Sequence, residues 1–260
     1  MQPASSARSL SAFTSYVDQY APGLTACFRG ASPEAIGQIE HALGYPLPEL
    51  QRQFLLLLGE NRHNQLGSLL ADRHFSLDWL AQAAGNIPAS RAGWFPWLTE
   101  VGLDAEQDLY LAPLASDAPA HPAGSHRVVW CSADDAHGSH SHARNADLLE
   151  YLLLHAHCAL RRATCETTAV LGIHPSDRRG QVRGRPRREI FVGIAAHLGF
   201  APVPAADQWW LGYERPEAGL WCYVSPRGDD CEVALMAHEP RQFAELLHIL
   251  LDNLDLYRIR

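Results

Sequence analysis

The chain of 260 residues contains no lysine, because all 21 of its basic residues are arginine. Together with 17 Pro and 19 Gly, we interpret this as the codon bias of a GC-rich bacterial genome. The first ten residues lack the apolar stretch of a secretory signal peptide, and no apolar run is long enough to span a membrane. We therefore expect a cytoplasmic protein.

Basic residues are also outnumbered, and the formal net charge is -8. Residues 1–165 hold 10 Arg and 16 acidic residues, whereas 166–260 hold 11 Arg and 13 acidic residues. Six of those 11 Arg lie between Arg178 and Arg188. Acidic surfaces repel nucleic acid and attract basic proteins. Nucleic-acid binding therefore stays an alternative for the Arg cluster alone, which we otherwise expect to be a linker.

Cysteine motifs are lacking as well, since the six cysteines form no C-x-x-C pair. They are Cys27, Cys131, Cys158, Cys165, Cys222 and Cys231, and most of them stand in apolar runs. A chain of this length without a secretion signal is an improbable disulfide scaffold. The pattern predicts reduced thiols in the protein core.

Hydrophobic residues make up 47% of the chain, which is enough to build hydrophobic cores. Both halves show a helix, three or more short strands and a helix, which predicts an α+β fold with antiparallel sheets packed by helices. We expect a first domain over 1–165, an Arg-rich linker over 166–188, and a C-terminal α-βββ-α domain over 189–260. Ile39–Pro48 is echoed by Ile194–Pro204, which indicates either a duplication or two helices with the same end signal.

Three stretches of residues 32–155 resemble the SMI1/KNR4 (SUKH) family. The first runs from Ser32-Pro33-Glu34 through Leu43-Gly44 and Leu47-Pro48-Glu49 to Phe54-Leu55. The second is Asp108-Leu109-Tyr110-Leu111, and the third is Val128–Trp130 followed by Leu148-Leu149-Glu150-Tyr151-Leu152. The chain departs from the family pattern at Gly59-Glu60-Asn61 and at Gln107, and the resemblance does not reach residues 166–260.

The resemblance implies a binding protein rather than an enzyme. Many bacterial members of that family are immunity proteins, which bind a toxin, often a nuclease, in the cell that makes it. We therefore predict a protein that neutralises a cognate, basic toxin, such as a secreted nuclease effector, by occluding its active site. The alternatives are an adaptor or chaperone for a secreted effector, or a small hydrolase. The sequence leaves a homodimer open.

Two groups of residues are candidates for partner binding. Glu100, Asp104, Glu106 and Asp108 surround a turn, where they could imitate the phosphates of a nuclease substrate; an ordinary polar hairpin is the alternative. Trp209-Trp210 is the second, because adjacent residues of a strand point to opposite faces, so one indole should approach solvent. A sheet that is covered on both faces, or a dimer interface, is the alternative.

Catalytic and metal signals are weak. His137, His140 and His142 have a spacing that could hold a transition metal, but no Cys or acid completes a known pattern. His238-Glu239 lacks the following His of a zinc protease, and Gly138-Ser139-His140 lacks the nucleophile elbow. We therefore predict no metal site, no cofactor and no catalytic residue.

Overall fold

A computed structural model of the chain describes residues 9–60, 73–74, 77–87, 93–101, 106–113, 126–132, 142–145, 147–173, 181–182, 185–207, 209–224 and 231–259. The chain divides into two compact units, Met1–Ala156 and His157–Arg260. Each unit combines helices with an antiparallel sheet, so the predicted α+β class is confirmed. Among the helices described, none has both the length and the hydropathy needed to cross a bilayer.

The described part of the first unit contains a 3₁₀ helix (Thr25–Cys27), four α-helices and the first part of a fifth. The α-helices are α1 (Ser11–Tyr20), α2 (Pro33–Leu43), α3 (Glu49–Leu58), α4 (Leu77–Gly85) and α5 (Leu148–Arg162). Helix α4 packs against α2. Phe13, Ile36, Phe54 and Leu80 are buried, so each of α1 to α4 contributes to the core of this unit.

Helix α2 shows how local signals place these elements. The Ser32 hydroxyl accepts a hydrogen bond from the Ala35 amide at 3.2 Å, and Pro33 opens the helix. The helix ends at Gly44, whose φ of 78° lies in the left-handed region that favours glycine. The sequence predicts this start from Ser32-Pro33-Glu34 and this end from Gly44, and the structure confirms both.

Five strands build the first sheet, in the order in which they occur along the chain. Every neighbouring pair is antiparallel, so the sheet is a simple meander. Tyr110, Ala112, Val129 and Cys131 form one cluster on it, against which Trp94 packs. The strands are β1 (Arg73–His74), β2 (Phe95–Val101), β3 (Glu106–Pro113), β4 (His126–Ser132) and β5 (His142–Asn145).

A six-stranded antiparallel sheet forms the centre of the second unit. Its strands are β6 (Thr167–Gly172), β9 (Ala201–Asp207), β10 (Trp210–Arg215), β11 (Ala218–Val224), β12 (Cys231–Ala237) and β13 (Tyr257–Arg258). They lie side by side in the order β13-β6-β12-β11-β10-β9. Two helices, α6 (Arg187–His197) and α7 (Pro240–Leu254), share one hydrophobic core with one face of this sheet. That face is named the helix-covered face, and the other is named the open-side face.

The predicted linker over 166–188 is not one continuous linker. Strand β6 lies within that range, and it pairs with both β12 and β13. Further along, β7 (Gln181–Val182) and β8 (Arg185–Pro186) form a small two-stranded sheet. The second unit therefore begins at His157 rather than at 189, because strand β6, which precedes the Arg cluster, belongs to the sheet of this unit.

The start of α5 is a second correction. The sequence pattern predicts that Asn145 caps this helix, but Asn145 ends strand β5. Asp147 takes that role, because its carboxylate accepts a hydrogen bond from the Glu150 amide at 2.9 Å. Both residue types are good caps, so the pairing of β5 with β4 decides between them.

Candidate protein-binding surfaces

The acidic residues predicted for partner binding lie on the hairpin of β2 and β3. In its register, Thr99 is opposite Asp108, Glu100 is opposite Gln107, and Val101 is opposite Glu106. Asp104, and the side chains of Glu100, Glu106 and Asp108, lie outside the described part of the structure.

The register separates the members of this acidic group. Residues that are directly opposite in an antiparallel pair share a face, and neighbours along a strand alternate between faces. Glu106 and Asp108 therefore occupy positions of one face, whereas Glu100 occupies a position of the other. The hairpin offers two acids at most on either face of its paired part.

The two predicted tryptophans lie at the start of β10. Trp209 precedes the strand and Trp210 is its first residue, and both are half-buried. Trp210 is opposite Tyr223 of β11, and the centroids of their rings are 5.1 Å apart at an interplanar angle of 40°. Neither indole is fully buried or fully exposed, and the role of Trp209 and Trp210 in partner binding stays a prediction.

Trp210 belongs to a row of residues that crosses the open-side face. The pairing continues from Trp210 to Tyr223, then to Glu232, Gly172 and Tyr257. Tyr223 and Glu232 are half-buried, and Tyr257 is 40% exposed. This set of five residues is named the aromatic row, and it places three aromatic side chains and one carboxylate on one side of the sheet.

The last part of α5 covers the neighbouring part of the open-side face. His157 is fully buried, and its ring centroid is 4.9 Å from that of Trp221 on β11. A Cβ atom added at Gly219 would lie 2.6 Å from the His157 ring, and one added at Gly212 would lie 2.8 Å from the Trp221 ring. Both rings therefore pack directly against the strand backbone, and a side chain at either glycine would prevent this contact.

Arg161, one helical turn after His157, completes this contact. It is 2% exposed, and its guanidinium donates to the carbonyls of Arg215 and Pro216 at 2.7 and 3.2 Å. These carbonyls belong to the turn between β10 and β11. The charge of Arg161 thus holds a hairpin turn, and it is not available to a partner in solution.

The environment of His157 governs its ionisation. Burial lowers the pKa of this imidazole well below its ordinary value of 6.5, and the nearby charge of Arg161 lowers it further. His157 is therefore neutral in the folded protein near pH 7. Since it is fully buried, its role in the described structure is packing rather than chemistry on a dissolved substrate.

The Arg cluster is partly built into the fold. Arg187 is 1% exposed, and its Nε donates to the carbonyl of Leu254 at 3.1 Å. Leu254 ends α7, so the cation lies at the negative end of this helix. Arg188 is half-buried, while Arg178, Arg179 and Arg183 lie outside the described residues. At least one of the six Arg is therefore unavailable for binding phosphates.

Metal binding gains no support in the part of the chain that the structure describes, where no three His, Cys, Asp or Glu side chains are grouped to hold an ion. His137 and His140 lie outside this part, and His142 is the first residue of β5. The geometry therefore does not test whether these three histidines can hold a metal.

Comparison with models of known protein families, with curated proteins and with solved structures finds no significant match to this chain. The resemblance to the SMI1/KNR4 family thus remains a prediction that rests on the sequence motifs.

The sequence patterns do not predict the contact of α5 with the open-side face. The signal that could have found it is a glycine within each of two successive strands, Gly212 and Gly219, since glycine inside a strand often marks a close approach. Gly219 accommodates the ring of His157 and Gly212 accommodates the ring of Trp221, and no local sequence pattern predicts either pair.

Proposed function

We propose that this chain is an immunity protein of the SMI1/KNR4 type, which binds a basic protein toxin in the producing cell and occludes its active site. The observation that carries the binding role is the aromatic row, where Trp210, Tyr223 and Tyr257 share one sheet face with Glu232. The resemblance of the motifs in residues 32–155 to the SMI1/KNR4 family is the reason to propose an immunity protein rather than another kind of binding protein.

The chemistry of the row suits a basic protein partner. Trp and Tyr dominate the energetics of protein interfaces, because they bury a large area at a small entropic cost. Glu232, half-buried between Tyr223 and Gly172 in the pairing, adds an acidic residue to the same face. The net charge of -8 adds long-range attraction for a positively charged protein.

The acidic hairpin is the second part of the proposed surface. Glu106 and Asp108 share a face in the register of β2 and β3 and could occupy a groove that binds phosphates. This hairpin belongs to the first unit and the aromatic row belongs to the second. We propose a separate contact for each unit.

The test begins with capture of the partner from the organism that makes the protein, using the tagged full-length chain. The expected partner is a polypeptide with a toxic C-terminal domain, bound at a ratio near one to one. Co-expression should then restore growth, and the purified complex should lack toxin activity. Binding to a targeting region, with toxin activity intact, would instead establish the adaptor function.

Variants connect this result to the surface. Trp210→Ala should weaken toxin binding at least tenfold, because an interface tryptophan contributes about 2 kcal/mol or more. Glu245→Ala is the matched control, since Glu245 is exposed on α7 and forms an ion pair with Arg241 of the same helix at 3.1 Å. Equal affinity of both variants and of the unaltered chain would remove the aromatic row from the proposal.

A further inference from the structure

The hairpin of β11 and β12 brings two thiols into contact. The sulfur atoms of Cys222 and Cys231 are 3.8 Å apart. The two residues are 0% and 2% exposed, and both belong to the core beneath α6 and α7. The connecting segment is 225–230, so this cysteine pair lies near the end of the hairpin.

The register explains why the thiols meet. Cys222 is opposite Val233 and Cys231 is opposite Val224, so the two cysteines are diagonal neighbours on the helix-covered face. A disulfide requires a sulfur separation of about 2.05 Å. Diagonal neighbours start from a wider β-carbon spacing than the about 3.8 Å of a disulfide, so each sulfur moves by roughly 0.9 Å and the two strands shift locally as the bond forms.

Burial keeps the pair reduced while the hairpin is closed. It raises the pKa of the Cys222 thiol well above its ordinary value, and the neighbouring Cys231 raises it further. Only the thiolate attacks an oxidant, and a dissolved disulfide cannot reach thiols that are buried to this degree. Oxidation therefore requires local opening at the end of the hairpin, next to the connecting segment.

We propose that Cys222 and Cys231 are an oxidation site, at which a low-molecular-weight disulfide converts the two thiols into a bond that clamps β11 to β12. This inference is independent of the proposed function. With oxidised glutathione, one cysteine thiolate attacks a glutathione sulfur, the bond between the two glutathione sulfurs breaks, and one glutathione thiolate leaves. The second cysteine thiolate then attacks the mixed disulfide and releases the other.

The electrons and protons balance in this sequence. The two cysteines lose two electrons in total, and oxidised glutathione gains them as it becomes two thiols. The two protons of the cysteines go to the two released glutathione thiolates. The product is the disulfide between Cys222 and Cys231, and an excess of a reducing thiol reverses the reaction.

The positions of the arginines make this bond simple to detect. Trypsin cleaves after Arg188, Arg227 and Arg241, and it does not cleave at Arg215, which Pro216 follows. Cys222 and Cys231 thus fall in different tryptic peptides, 189–227 and 228–241, and the other four cysteines fall in four further peptides. Every pairing of two cysteines gives a distinct pair of linked peptides.

In the experiment, the full-length chain is incubated with oxidised glutathione in urea below the unfolding midpoint, free thiols are alkylated, and the protein is digested. The expected product is peptide 189–227 linked to 228–241, which separates on reduction. Cys165→Ser, which removes another buried thiol, should keep this product, whereas Cys222→Ser and Cys231→Ser should each lose it.

Two results would overturn the proposal. One is alkylation of both cysteines under conditions in which the exposed Cys27 is converted to its glutathione adduct, since the oxidant is then active and the pair does not react. The other is a linked product that forms only above the unfolding midpoint and lowers the melting temperature of the refolded chain. The clamp instead predicts that the melting temperature rises by several degrees and that reduction reverses the rise.

Discussion

The two units build their sheets differently. In the first unit, strands β1 to β5 pair in the order of the chain, so each strand meets a partner that is near in sequence. In the second unit, β9 to β12 form such a meander, but β6 pairs with β12 and β13 pairs with β6. The difference shows that a local pattern predicts part of each meander, β2 to β4 and β10 to β12, whereas β6 and β13 depend on contacts between distant residues.

A second difference lies in what approaches the glycines of each unit. Gly30, between α1 and α2, faces the backbone of α3, because a Cβ atom there would lie 1.6 Å from the Leu56 carbonyl oxygen. Gly219, in the second unit, faces the imidazole of His157. A side chain can change its conformation to make room for an added methyl group, whereas the backbone of a helix cannot. Substitution of Gly by Ala should therefore lower the free energy of unfolding more at Gly30 than at Gly219.

The largest expected effect is that of Gly30→Ala. The residues on either side of Gly30 hydrogen-bond to α3 and its end, with Ala31 donating to Leu55 and Glu60 donating to Arg29. The added methyl group must therefore break this pairing, and we expect a loss of about 3 kcal/mol or more in the free energy of unfolding.

Urea denaturation, with hydrogen exchange to locate the change in the first unit, measures this loss. Gly37→Ala is the control, because Gly37 is exposed on α2 with nothing within 4 Å of an added Cβ, and it should stabilise slightly. Equal stabilities of both variants would contradict the close approach.

Arg187→Ala tests what joins the start of α6 to the end of α7. The Leu254 carbonyl loses a charged donor and the core loses a fully buried side chain, so we expect a loss of about 3 kcal/mol in the second unit. Arg241→Ala, at a residue whose side chain is 90% exposed, should leave unfolding nearly unchanged. If Arg187→Ala behaves like this control, Arg187 belongs to a solvated linker, as the sequence pattern predicts.

Gly219→Ala tests whether the contact of His157 with the sheet can adapt. We expect a loss of about 2 kcal/mol, smaller than that of Gly30→Ala, because the imidazole can shift. In the double variant with His157→Ala, the added methyl group should cost much less, which a double-mutant cycle measures. Additive costs would show that His157 is not what Gly219 accommodates.

The smallest effect is the pH dependence that His157 gives to the second unit. The pKa of His157 is lowered in the folded state, so below the ordinary value of 6.5 the unfolded state binds a proton that the folded state does not. The free energy of unfolding is therefore highest above that value and decreases as the pH falls below it. Below that value the slope should be at most about 1.4 kcal/mol per pH unit, which is the limit for the uptake of one proton on unfolding.

This prediction is checked by urea denaturation of His157→Gln at several pH values above and below the ordinary pKa. The variant should lose stability near neutral pH but depend less on pH in the acid range. His248→Gln, at a residue whose side chain is 78% exposed, should keep the profile of the unaltered chain. A profile that stays the same in His157→Gln would assign the acid sensitivity to other groups.

Helix ends illustrate how far local sequence reaches. Gly44 and Gly199 both follow a Leu and adopt φ values of 78° and 74°. After Gly44, the chain leads to helix α3, but after Gly199 it leads to strand β9. Ile39–Pro48 and Ile194–Pro204 thus share a way of ending a helix, and they differ in the type of the element that follows.

Local sequence patterns predict the α+β class, most helix bounds and six strands, namely β2, β3 and β4 in the first unit and β10, β11 and β12 in the second. These features follow from hydrophobic period, caps and turns, which act over a few residues. These signals do not predict the strand at Thr167–Gly172, which forms because it pairs with the distant strand β12. They do not predict the burial of Arg187 either, because its partner is the distant Leu254.

The same limit applies to the binding surface. The sequence singled out Trp210, but the tertiary structure alone aligned it with Tyr223, Glu232 and Tyr257. These residues belong to four different strands, and the register of four strand pairs brings them to one face. Strand register is set by the whole buried face of a sheet, and no short segment of sequence contains that information.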